Sequence, residues 1–160
     1  MSGIDAAVLA AIIADFASFV VFVAERYLAS LARRREKAAA ALSDALLWIE
    51  MPYRIARRTG DDTAALAALT NTMHELQERH LFNRAWIQVE VPEAYDAYVS
   101  LIDDIRSQCG PNLTAAWQRL PATKPADMNL GAIYLVDVQT KIDAYVQAVR
   151  AALRPWKIRP

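Results

Sequence analysis

Apolar residues crowd the start of this chain. Positions 6–24 read AAVLAAIIADFASFVVFVA, nearly all apolar, with one acid, Asp15, near the middle. A helix of that length rises about 28 Å, enough to cross the hydrocarbon core of a bilayer. The apolar positions fall on nearly every side of the helical wheel, which predicts a transmembrane helix; a core-facing helix would show a one-sided stripe. The competing arrangement is a soluble bundle with residues 6–24 as its buried centre.

Past residue 24 the pattern becomes amphipathic. Leu28, Leu31, Ala38, Leu42, Ala45 and Ile49 recur at spacings of three, four and seven, and no Gly or Pro interrupts residues 25–49. One helix is therefore expected to leave the bilayer and continue as a bundle leg, bent or interrupted at Pro52 and stopped by Gly60. Asp61 and Asp62 are candidate caps for a second helix to about Val89, with the stripe Leu66, Leu69, Met73, Leu76, His80, Asn83 and Ile87. Pro92 opens a third, carrying Tyr95, Tyr98, Ile102, Ile105 and Cys109, with a kink at Gly110-Pro111 before Leu113, Ala116, Trp117 and Leu120. A loop around Pro121 and Pro125 leads to a last helix over 128–153, striped by Leu135, Val138, Ile142, Tyr145, Val149 and Ala152.

Legs over 33–58, 63–89, 93–120 and 128–153 are of similar length and joined by short links, as an antiparallel bundle requires. The expected fold is all-α: an N-terminal single transmembrane helix continuing into an up-down-up-down antiparallel helical bundle of four long legs, the third kinked near 110–111. The divisions are a leader over 1–5, the membrane helix over 6–24, a basic juxtamembrane helix over 25–37, a bundle over 33–153 and a tail over 154–160. Parity returns the fourth leg, and so the tail, to the bilayer.

Charge orients this arrangement. Arg26, Arg33, Arg34, Arg35 and Lys37 follow the apolar stretch, and nothing basic precedes it. By the positive-inside rule the bulk of the chain is cytoplasmic and the helix sits in the plasma (inner) membrane. A cleaved signal would begin with positive charge and end at a small-x-small site; the short acidic leader and Val23-Ala24-Glu25-Arg26 fit an uncleaved anchor better. Arg33, Arg34, Arg35 and Lys37, with Trp156, Lys157 and Arg159 in the tail, are candidate lipid and interface residues.

Composition narrows the function classes. Lys plus Arg equals Asp plus Glu at 18 each, so no net field favours nucleic acid as a partner. Cys109 is the single cysteine, which excludes an intrachain disulfide framework. In HELQERH, residues 74–80, the two histidines are six apart, matching neither a zincin helix nor a di-iron Glu-x-x-His. No catalytic residue, cofactor site or metal site is assigned.

Two features remain. Asp15 shares a wheel face with Ala7, Ala11, Ala14 and Ser18, while Leu9, Ile13, Phe16, Val20 and Val23 lie opposite. Small residues admit a second helix and bulky ones suit lipid, so this face is a candidate membrane helix contact, by self-association or with another membrane helix. His80 and Asn83 are polar residues on the bundle seam, candidates for fixing helix register. The expected function is non-enzymatic: a single-pass protein presenting a cytoplasmic bundle as anchor, scaffold or accessory subunit to an unidentified protein partner. The alternatives are an oligomeric channel or membrane-disrupting protein using Asp15, and a ligand- or metal-binding soluble helical bundle.

Overall fold

The computed structural model describes residues 6–131 and 134–155. Among them the chain forms four α-helices and no strand: α1 Ala6–Ala56, α2 Thr63–Glu90, α3 Tyr95–Gln118 and α4 Gln139–Ala152. Short 3₁₀ turns occupy Pro92–Ala94 and Pro125–Met128.

The 51 residues of α1 extend about 77 Å. Over residues 25–49 its Ala, Leu, Arg and Glu content favours helix. Pro52 does not end it: the helix carries on to Ala56, and Pro52 itself is fully buried. The first half of α1 stands clear of the rest of the chain. From Leu31 onward one face becomes core, with Ala38, Ala41, Ala45, Trp48, Met51 and Ile55 buried. The alanines on this face keep α1 narrow where it packs against α2, α3 and α4.

Asp62 caps α2, its carboxylate accepting from the Ala65 amide at 2.9 Å. This satisfies one of the free donors at a helix start. Leu76, His80, Asn83 and Ile87 are the buried positions of α2, spaced at four, three and four. Pro92 begins a 3₁₀ turn, and α3 follows from Tyr95. It runs unbroken through Gly110 and Pro111 to Gln118, so residues 112–118 belong to α3. Both Gly110 and Pro111 are exposed, and a carbonyl left free by the missing proline amide can bond to water there.

The last leg departs from expectation. α4 begins at Gln139, eleven residues later than the apolar spacing predicts, so the fourth leg is short. Leu130, Tyr134 and Val138 are buried at helix-like intervals, yet none of the described residues between them is helical. Local bonds replace a helical ladder. The Gln108 amide donates to the Asp137 carbonyl at 3.1 Å and accepts from the Asp137 amide at 2.9 Å, and the Tyr134 amide donates to the Tyr53 hydroxyl at 3.3 Å. Gly131 takes a φ of +54°, which a residue without Cβ adopts freely.

Side-chain bonds tie the helix ends together. Arg34 pairs with Glu90 at the end of α2, Nε to Oε2 at 3.1 Å. Arg35 donates to the Leu153 carbonyl just past α4 at 2.7 Å. At the far end of α1, Arg58 is buried and reaches the last carbonyls of α3: Nη1 donates to Ala116 at 3.1 Å, and Nη2 to Trp117 at 3.3 Å and to Arg119. Nη1 also donates to the Ile55 carbonyl at 3.1 Å, and Nε pairs with Asp61 at 2.6 Å. One guanidinium thus closes the C-terminal ends of both α1 and α3, where carbonyls lack helical partners and negative charge accumulates.

Candidate functional site

The apolar half of α1 is one helix long and apolar enough to cross a membrane, and none of its apolar window is buried by the rest of the chain. Phe16 is 67% and Phe19 62% exposed, and Val8, Leu9, Ile12, Ile13, Val20, Val21, Phe22 and Val23 are also exposed. Each such side chain left in water forgoes about 1.5–3 kcal/mol of burial. An apolar surface this continuous marks a place where something other than water covers the chain.

Ala11, Ala14, Asp15 and Ser18 are exposed on this segment, and the Ser18 hydroxyl donates to the Ala14 carbonyl at 2.9 Å. That bond satisfies the hydroxyl within its own helix. The side chain of Ala7 lies outside the described residues. The Arg26 guanidinium sits over the Phe22 ring, 5.2 Å from its centroid. Of the basic group, Arg33 and Lys37 are exposed, whereas Arg34 and Arg35 hold the ends of α2 and α4. Trp156, Lys157 and Arg159 lie outside the described residues, as does the leader over 1–5.

The seam residues His80 and Asn83 are buried where α1, α2 and α3 meet. The Asn83 amide donates to Asp44 at 2.9 Å, and Arg79 pairs with the other oxygen of the same carboxylate at 3.3 Å. His80 Nδ1 lies 3.2 Å from the Tyr98 hydroxyl. The His80 ring packs against Trp48 with centroids 5.1 Å apart, and the Arg106 guanidinium covers the Trp48 ring at 5.6 Å. Tyr98 in turn packs against Tyr145, at 5.5 Å between centroids, and the Tyr145 hydroxyl donates to the Ala38 carbonyl at 3.0 Å.

Burial dominates the protonation chemistry of this cluster. It lowers the His80 pKa to about 4, assisted by the positive charges of Arg106 and Arg79 and opposed by Asp44. His80 is therefore a neutral imidazole near pH 7. Burial likewise raises the Tyr98 and Tyr145 phenols well above their ordinary range. The Cys109 thiol, fully buried, is pushed up to about 11, which leaves it protonated and unreactive.

His74, Glu75 and Glu78 sit on the exposed side of α2, away from His80. Among the described residues no group of three or more His, Cys, Asp or Glu side chains is placed to hold a metal ion. The structure also brings in residues that the apolar pattern alone does not single out, Asp44, Arg79 and Arg106, beside Tyr98, which the stripe of the third helix does include. Asp44 carries a readable signal, since with Ser43 it interrupts an otherwise apolar run between Ala41 and Trp48. Arg106 carries none, because an arginine on α3 reads as ordinary surface until Trp48 is found beneath it. In comparisons with known proteins, no family model, no curated protein and no solved structure matches the chain.

Proposed function

We propose that this chain is a single-pass membrane protein in which residues 6–24 cross the plasma (inner) membrane. The rest forms a cytoplasmic up-down-up-down bundle that serves as a non-enzymatic anchor, scaffold or accessory subunit. The observation that carries this reading is the division of α1 into a wholly exposed apolar half and a half whose inner face is core, within one unbroken helix. A bilayer covers such a half without requiring any partner.

The end contacts support the bundle topology. Glu90 and Leu153 both meet α1 at Arg34 and Arg35, the end nearer the apolar half, while the end of α3 meets Arg58. The turn after α2 and the end of α4 then lie toward the bilayer. Helical side chains tilt toward the N-terminus, which directs exposed Arg33 and Lys37 back toward lipid headgroups. Trp156, Lys157 and Arg159 are proposed to join them there, with Ala7, Ala11, Ala14, Asp15 and Ser18 receiving a second copy or another membrane helix.

Membrane fractionation with a carbonate wash, followed by mass determination in detergent, tests the proposal. Retention in the washed membrane pellet is expected. Recovery of the intact chain in the soluble fraction would overturn the membrane reading and point to a soluble oligomer burying residues 6–24. Substituting Asp15→Leu should leave the chain in the membrane and weaken its helix association; unchanged association would remove Asp15 from the contact.

A further inference from the structure

The outward face of α2 changes character along its length. Asn71, His74, Glu75 and Glu78 make it polar, but the last turns present Leu81, Phe82, Ala85 and Val89, all exposed. Phe82 is 59% and Val89 76% exposed. With Ala85 they recur at three and four, on the side of the helix opposite buried His80, Asn83 and Ile87. The buried seam already holds α2 to the bundle, so this second apolar strip is left for something outside the chain.

Its height above the bilayer, a placement that rests on the membrane reading of residues 6–24 given above, decides what can cover it. At one end of the strip Glu90 pairs with Arg34, ten residues past Ala24 and so about 15 Å along α1. Toward the other end Asn83 bonds Asp44, twenty residues and about 30 Å past Ala24. Headgroups extend only about 5–8 Å beyond the hydrocarbon. An apolar stretch of about 28 Å matches that hydrocarbon without forcing a tilt. Lipid therefore falls short of the strip, and a protein surface is left to cover it.

Copies of the chain enter one membrane in the same direction, so their strips stand at equal heights. A two-fold axis along the membrane normal sets Phe82 against Phe82, Ala85 against Ala85 and Val89 against Val89, the self-matching contact of a symmetric dimer. Arg84 is turned aside from this face, its Nε donating to the Tyr95 hydroxyl at 3.0 Å, so no charge opposes its own copy between Leu81 and Val89. Confinement to one plane lowers the orientational cost of association and raises the effective concentration, so a narrower strip suffices than soluble dimers need. We propose that α2 of one copy docks on α2 of a second copy through Leu81, Phe82, Ala85 and Val89, pairing the bundles side by side above the membrane.

The experiment uses the full chain, reconstituted alone into liposomes, washed with carbonate and treated with a short bismaleimide. Ala85→Cys should give a covalent dimer. The parent chain, whose one thiol is buried at Cys109, and Ser107→Cys, exposed on α3, should not. Adding Phe82→Asp should cut the cross-linked fraction about tenfold, as loss of a central apolar contact implies, and leave the helical circular dichroism unchanged. Glu78→Gln should raise it, since like charges meet where the strip ends. Membrane-retained chain in which Ala85→Cys links no better than Ser107→Cys, or links equally with Phe82→Asp, would overturn the dimer alone. Chain released by carbonate would overturn the membrane reading, and the equal heights with it.

Discussion

Replacing Arg58 with methionine keeps the apolar stem and removes the guanidinium. The Arg58 side chain is 6% exposed, and the Nη1 bonds to the Ile55 and Ala116 carbonyls are buried. Each is a hydrogen bond from a charged donor, worth about 1.5–3 kcal/mol net. The bonds to Trp117, Arg119 and Asp61 are partly exposed, and the Asp61 side chain is half in water. Water can replace those three, so they add little. The loss should therefore be about 3–5 kcal/mol, near the upper end of what single substitutions cost. For a domain of this size that corresponds to a fall in Tm of roughly 10–20 °C.

Arg58→Lys should fall between, because an ammonium supplies charge without the planar fork that spans two helix ends. The assay is thermal or urea unfolding of the full chain in detergent, followed by near-ultraviolet circular dichroism so that the aromatic core is read apart from the exposed half of α1. A loss below about 1 kcal/mol for Arg58→Met would show that the two helix ends are closed by water as well as by the guanidinium, and would refute the role given to this residue.

Stability should fall as pH drops from about 6.5 toward 4. His80 binds a proton less readily folded than unfolded, so the unfolded state gains protons first, at up to about 1.4 kcal/mol per pH unit. His80→Gln should flatten that slope in urea titrations at stepped pH, and an unchanged slope would assign it to other groups. A double-mutant cycle on Arg34 and Glu90 should return under about 1 kcal/mol, since their side chains are 41% and 37% exposed; a larger coupling would mean the end of α2 is drier than its exposure indicates. Maleimide should label Cys109 slowly in the folded chain and rapidly in denaturant, and fast labelling of the folded chain would contradict its burial.

Much of the helical layout is legible in the sequence, because spacing and caps agree at each leg. Asp62 before an apolar stripe does cap α2, and Pro92 opens the 3₁₀ turn that leads into α3. The fourth leg is where spacing misleads: Leu135 heads the stripe read from the sequence but is 75% exposed, while Leu130 and Tyr134 are buried by a chain held against Tyr53 and Gln108. Apolar spacing names candidates for burial, and Leu120 and Leu135, 83% and 75% exposed, show that the path of the backbone decides which of them are covered. The polar cluster is half legible for a related reason. His80 and Asn83 stand out as polar residues on an apolar stripe, but the residues that charge the cluster arrive from other helices, and a one-dimensional pattern holds no record of which stripe faces which.

Eighteen residues make about five full turns of α-helix, so positions eighteen apart on α1 share one compass bearing. Ala11 and Ala29, Ala14 and Ala32, Asp15 and Arg33, Ser18 and Glu36 are such pairs, and all eight are exposed. The bearing set by Asp15 in the apolar half is thus the outer back of α1 in the folded half, turned away from α2, α3 and α4. Whatever seats against the small residues below would find itself directly under that open back. The azimuth of the whole folded domain would follow from a single contact, without a hinge to be set.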